Sequence, residues 1–148
     1  MPNRRTHQRV GQPAGGVYAG IRAARSVNGN VLIEGIAGLL GGDFGSAWPD
    51  WLEPAAWNHR RFCHSWLAGG SLAALACQVE QWAEACREKA ADHRQCSCDS
   101  SMASEKRLYH SFAALLLSAL AGFLNGLLAG YLSHLLLDLG TPSGLPVC

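Results

Sequence analysis

Two stretches of the chain read as continuous apolar helices, with polar segments between them. Residues 31–48 are apolar apart from Glu34 and Asp43, and glycines recur at Gly35, Gly38, Gly42 and Gly45. Steps of three and four residues place these glycines on one helix face, where a second backbone can approach closely. Residues 108–137 contain no Asp, Glu, Lys or Arg. A helix rising about 1.5 Å per residue over that run is longer than the ~30 Å hydrocarbon core of a bilayer. Asn125-Gly126 is a candidate kink within it, and Gly140 with Thr141-Pro142 is a stop signal. Residues 62–79 also lack those four charged types, and the helix they begin continues in polar form to about residue 91. Residues 11–29 read as a weak helix at best, because Gly15-Gly16 and Gly20 lower the propensity. Asn28-Gly29-Asn30 is a turn signal. Trp48-Pro49 is predicted to end the second helix, since proline disfavours helical geometry in the residue before it. Residues 49–61 then form a polar loop, with Trp48, Trp51, Trp57 and Trp66 in or beside it; such residues suit a membrane interface or simple packing. No period-two alternation stands out. The pattern predicts an all-α chain, a small bundle of about four helices, embedded in or associated with a membrane.

Composition sharpens this picture. The 148 residues suit one domain over 1–148, with a polar linker at 92–106 inside it. Charged residues make up 16% against about 25% in soluble domains, while 49% are hydrophobic, which excludes general disorder. A net charge of +1 supplies no basic field and so no strong argument for nucleic acid. The charges that exist are segregated. The first 33 residues carry five arginines and no acid, and no apolar run with a small-residue cleavage site follows them. The basic start fits a cytoplasmic end, and in a bacterium the inner membrane. Charges from Glu80 to Arg107, Glu84, Arg87, Glu88 and Lys89 among them, read as a solvated helix face. Without a secretory context the six cysteines are read as free thiols, and Cys96-x-Cys98 is too close and too isolated for a zinc knuckle.

The candidate chemistry lies in histidines and aspartates. His134 and Asp138 stand four apart, so both project from one helix face at the end of the long uncharged run. A carboxylate in such a setting needs a partner, a metal or water. His59 and His64 flank a loop-to-helix junction, with Asp50 upstream. His and Asp together suit zinc or manganese. His93 falls in the polar linker and reads as solvated; His110 opens the last helix and His7 lies in the basic start, and neither means much alone.

The set as a whole resembles the YdjM-like family of membrane-bound, metal-dependent hydrolases. The matching elements run in family order: Met1 to His7 and on to Gly11, then Pro49-Asp50-Trp51-Leu52-Glu53-Pro54, His59-Arg60 and Phe62-Cys63-His64-Ser65. The last are Gly130-Tyr131-Leu132-Ser133-His134 through Asp138, and Thr141-Pro142 through Pro146. That family is distantly similar to the zinc phospholipase C and P1 nuclease group. The resemblance implies a zinc-type site of one or two ions held by Asp50, His64, His134 and Asp138, with His7 as a nearby ligand. His59 is implied as a ligand or a phosphate contact.

The expected function is hydrolysis of an ester or phosphoester, on a small molecule or a lipid, through metal-activated water. Glu53 is a candidate general base and also a candidate cap, and Arg60 or Arg61 a candidate phosphate contact or interface anchor. The rival reading is a non-catalytic helical membrane protein whose His and Asp residues hold a structural metal or pair with one another. A third is a soluble helical hydrolase, in which the 108–137 helix is buried in protein or in an oligomer. The sequence carries no oligomer signal.

Overall fold

A computed structural model describes residues 4–52 and 66–139 of the chain, with side chains at 4–51 and 76–139. Among these residues there are four helices and no strand: α1 (Arg4–Arg25), α2 (Val31–Leu52), α3 (Trp66–Ser97) and α4 (Ser104–Leu139). The all-α bundle expected from the pattern is therefore present. Helix α2 packs on both α1 and α4, α1 also packs on α4, and α3 lies along α4.

Glycine sets the spacing of the inner three helices. A Cβ at Gly15 would lie 2.6 Å from the Gly42 Cα, and one at Gly126 would lie 2.7 Å from the Gly38 Cα. A Cβ at Gly130 would meet the Gly42 backbone in the same way. The Gly38/Gly42 face of α2 thus serves two interfaces at once. This explains why α1 is one helix of 22 residues and not the weak element that propensity predicts. Its Gly11, Gly15 and Gly16 are buried at the helix contact, where close packing outweighs about 1 kcal/mol of propensity per glycine.

Three further expectations change. Helix α2 does not break at Trp48-Pro49 but runs on to Leu52. Pro49 lies in the last turn, so it removes only the ladder bond to the Gly45 carbonyl. Helix α4 passes through Asn125-Gly126 without interruption, because Gly126 fits against Gly38. Helix α3 runs to Ser97 and α4 starts at Ser104, so only 98–103 of the stretch expected as a linker is non-helical.

The interior is unusual in content. Its hydrophobic members are mostly alanine, with Leu128 and Leu135, while Glu34, Ser46, Arg87, Ser118, Asn125, His134 and Asp138 are also buried. Large apolar side chains point outward instead: Val17, Leu32, Ile36, Leu40, Phe112 and Leu136 are all more than half exposed. Of the described helices, α4 alone is long and apolar enough to cross a membrane.

Arg87 corrects the reading of α3 as a solvated charged face. Its guanidinium is 1% exposed and holds Glu34 Oε2 through Nε at 2.9 Å and Nη2 at 2.8 Å. Its Nη1 donates to Glu84 at 2.8 Å. Glu34 in turn accepts the Asn30 backbone N–H at 3.0 Å, while the Asn30 side chain caps the Ile33 N–H at 3.1 Å. One buried carboxylate thus fixes the start of α2 and ties α3 to it.

Candidate metal centre

The site forms where the start of α1 and the ends of α2 and α4 meet. Helix α4 presents His134 and Asp138 one turn apart, with His134 Nε2 3.5 Å from Asp138 Oδ2. Helix α1 adds His7, whose Nε2 is 3.6 Å from Asp138 Oδ1. Helix α2 adds Asp50, with Oδ1 3.8 Å from His134 Nε2. The extension of α2 past Pro49 is what brings Asp50 into reach. Close helix spacing at Gly42, Gly11 and Gly130 lets the three ends converge.

Orientation is set by the backbone. His134 Nδ1 lies 2.6 Å from the Ser46 carbonyl oxygen. A carbonyl only accepts, so Nδ1 carries the proton and donates. In the neutral ring Nε2 is then a lone pair, and it faces two carboxylates. The His7 ring stacks on that of His134 at 3.8 Å between centroids and 20° between planes. Asp138 therefore offers one oxygen toward each histidine.

This donor set fits a divalent cation. The separations of 3.5–3.8 Å exceed the roughly 2.7–3.2 Å of a good N–H···O bond. They lie near the ~3.3 Å expected between ligands of a tetrahedral ion with metal–ligand bonds of about 2.0–2.1 Å. A proton or a cation between His134 Nε2 and the two carboxylates satisfies this arrangement. A ligating histidine with its other ring N–H on a backbone carbonyl is the usual outer support of such sites. His7, His134 and Asp138 present ligand atoms within 4.8 Å of one another, and all three are buried. Asp50 is the exposed member, with 23% of its side chain accessible.

Four of the expected residues thus come together: His7, Asp50, His134 and Asp138. The other candidates, Glu53, His59, Arg60, Arg61 and His64, lie outside the described residues. One neighbour was missed. The Arg4 guanidinium sits 4.9 Å from the ring centre of Trp51, the residue after Asp50 in α2. Its position one turn before His7 on α1 was the available signal.

No family model, curated protein or solved structure matches the chain.

Proposed function

We propose that the chain is a membrane-associated, metal-dependent hydrolase of ester or phosphoester bonds. The observation that carries this reading is the buried cluster of His7, His134 and Asp138, with Asp50 Oδ1 3.8 Å from His134 Nε2 and His134 Nδ1 held by the Ser46 carbonyl. The resemblance to the YdjM-like hydrolases supports it from the same residues. Zinc is the ion that two imidazoles and two carboxylates suit best. When bound, it supplies Lewis acidity and lowers the pKa of water toward 7.

The chain's own residues do the rest. Asp138 and His134 hold the buried side of the centre, and stacking keeps His7 in register with His134. Solvent reaches the site at Asp50, so substrate enters there. Arg4, held over Trp51 and one turn before His7 on α1, is a fixed positive charge suited to a phosphate oxygen. The outward-facing apolar side chains support a lipid setting, in which a lipid headgroup ester is an accessible substrate.

The burial of three donors favours a second reading, a structural ion that staples the helix ends. Metal analysis and an esterase and phosphodiesterase screen of the detergent-extracted chain, purified without chelators, test both. At least one zinc per chain is expected, and the content should fall by about one in Asp138→Ala and in His134→Ala, together with hydrolysis. Arg4→Ala is expected to raise KM for an anionic substrate and to leave metal content unchanged. Absence of metal from the parent chain overturns the proposal. Metal without any hydrolysis selects the staple.

A further inference from the structure

A pocket of about 200 Å3 opens at the opposite end of the bundle, between the start of α2, the end of α3 and the first turns of α4. Arg94, Asn30, Ser111 and Ser118 line it, with Ile33 and Leu115 as apolar wall. Ser118 and His134 are separated by about 24 Å of helix at 1.5 Å per residue, so the pocket is no part of the first centre. None of the described residues that line it is acidic. The Glu34 carboxylate, one turn after Asn30, is held by Arg87. Asp92 lies two residues before Arg94 on α3 and does not share its face.

Arg94 is half-buried, and among the described residues its hydrogen-bond acceptors are neutral. Nη2 donates to the Asn28 carbonyl at 2.8 Å, and Nη1 to Ser118 Oγ at 3.3 Å. These bonds fix the guanidinium but engage two of its five N–H donors. Ser118 is 1% exposed and accepts from Arg94, which leaves its own O–H to donate. The Asn30 side-chain oxygen accepts the Ile33 N–H, so its amide nitrogen is the half that can serve a ligand.

A fixed cation with surrounding hydroxyl and amide donors, and no acid, is an anion site. A guanidinium edge matches two oxygens of a phosphate, and donors from α2 and α4 suit its further oxygens. The volume is below the roughly 300–1,000 Å3 of pockets that enclose drug-sized ligands, so the occupant is a single ion or headgroup and not a nucleotide. Ser111 and Ser118 lie in the first third of the uncharged run of α4. Phe112 and Leu115 are exposed beside them, so a phosphate at Arg94 has apolar helix surface next to it for acyl chains.

We propose that this pocket binds a phosphate group, carried by an anionic lipid headgroup or free in solution, with Arg94 as its main contact. The assignment does not rest on the hydrolase reading.

Calorimetric titration of the full chain in neutral detergent tests it, with inorganic phosphate and short-chain phosphatidic acid as probes. One Arg94-dependent site per chain is expected, weakened about tenfold or more in Arg94→Gln. Arg94 also holds the Asn28 carbonyl, so Ser111→Leu serves as a second variant. It fills the pocket from an exposed position, removes no Arg94 bond, and should weaken binding to a similar degree. Arg4→Ala should leave this site unchanged. Phosphatidic acid binding at least tenfold tighter than inorganic phosphate identifies the lipid headgroup, and equal affinity identifies free phosphate as sufficient; both support the site. Binding of neither probe overturns it, as does binding that neither Arg94→Gln nor Ser111→Leu weakens. Loss in Arg4→Ala alone also overturns it, since the phosphate then belongs to the first centre.

Discussion

At the scale of single residues, local spacing reveals pairs on one helix and hides pairs between helices. His134 and Asp138 were legible because four residues make one turn, and the 3.5 Å contact follows from that geometry. Asp50 was a candidate beside His59 and His64, but its place and that of His7 with His134 entered through resemblance, since neither lies near α4 in sequence. Glu34 and Arg87 were not legible at all. They are 53 residues apart, and each alone looks like an ordinary surface charge. Their mutual burial, at 0% and 1% exposure, makes a strong prediction. Glu34→Ala removes the buried partner of the Arg87 guanidinium, leaving it only Glu84, and should cost about 3 kcal/mol, read as a lowered unfolding midpoint in detergent. Glu34→Leu combined with Arg87→Met removes both charges and should cost far less. Equal losses in the two variants would show that packing, not the ion pair, holds α3 to α2.

At the scale of helices, tertiary contact overrode propensity wherever glycine was involved. The weak helix expected over 11–29 forms because its glycines are contact points for α2. A single chain shows glycine spacing but not which partner the spacing serves, so α2 was legible as a packing face and α1 was not. Gly42 and Gly20 separate the two roles of the residue. A Cβ at Gly42 would lie 2.9 Å from the Gly15 Cα, with more backbone on the same side. Gly42→Ala should therefore destabilise by about 1–3 kcal/mol and also loosen the His7, His134 and Asp138 cluster, where the helix ends meet. A Cβ at Gly20 would meet only Val31 Cγ1 at 4.0 Å. Gly20→Ala should be neutral or stabilising by up to ~1 kcal/mol. Thermal unfolding and zinc content of the two variants, measured in parallel, decide this.

Helix α3 also carries a pH dependence. Burial pushes the Glu84 carboxyl up, but hydrogen bonds from Ser26 and Arg87 and the Arg87 charge outweigh it, so the group sits below its ordinary 4.5. A carboxyl depressed in the folded state contributes stability that is complete above its unfolded value and is lost as pH falls through the folded one. The exchange protection of α3 amides, corrected for the intrinsic rate at each pH, should fall on acidification below about pH 4.5, and less steeply in Glu84→Gln. Identical acid profiles for the two chains would place the dependence in other groups.

At the scale of the whole molecule, the distribution of side chains is inverted relative to a soluble core. Alanine, glycine and polar groups fill the interior, and leucine, isoleucine and phenylalanine face out. In water this arrangement leaves most of the available apolar transfer free energy unrealised. In lipid it is the expected solution, since helix association there rests on close backbone approach and on polar contacts between helices. Helix α4 separates the two cases. The apolar window within it has a mean hydropathy of 2.0, yet only 39% of that window is buried inside the chain. The core helix of a soluble monomer would be mostly covered. Leu108, Phe112, Leu116, Leu120 and Leu136 are exposed on this helix, which is the face that lipid or another copy of the chain would cover. On the proposed membrane reading, the expressed protein stays in the membrane pellet after high-salt and alkaline washing and leaves it only with detergent. Leu116→Arg, about a third of the way into the uncharged run, should then cost up to about 2.5–3.5 kcal/mol and reduce insertion. If the chain instead appears in the soluble fraction as a defined oligomer, the same α4 face is its interface. Leu116→Arg would then yield soluble monomer where the membrane reading requires loss of insertion, so one variant distinguishes the two.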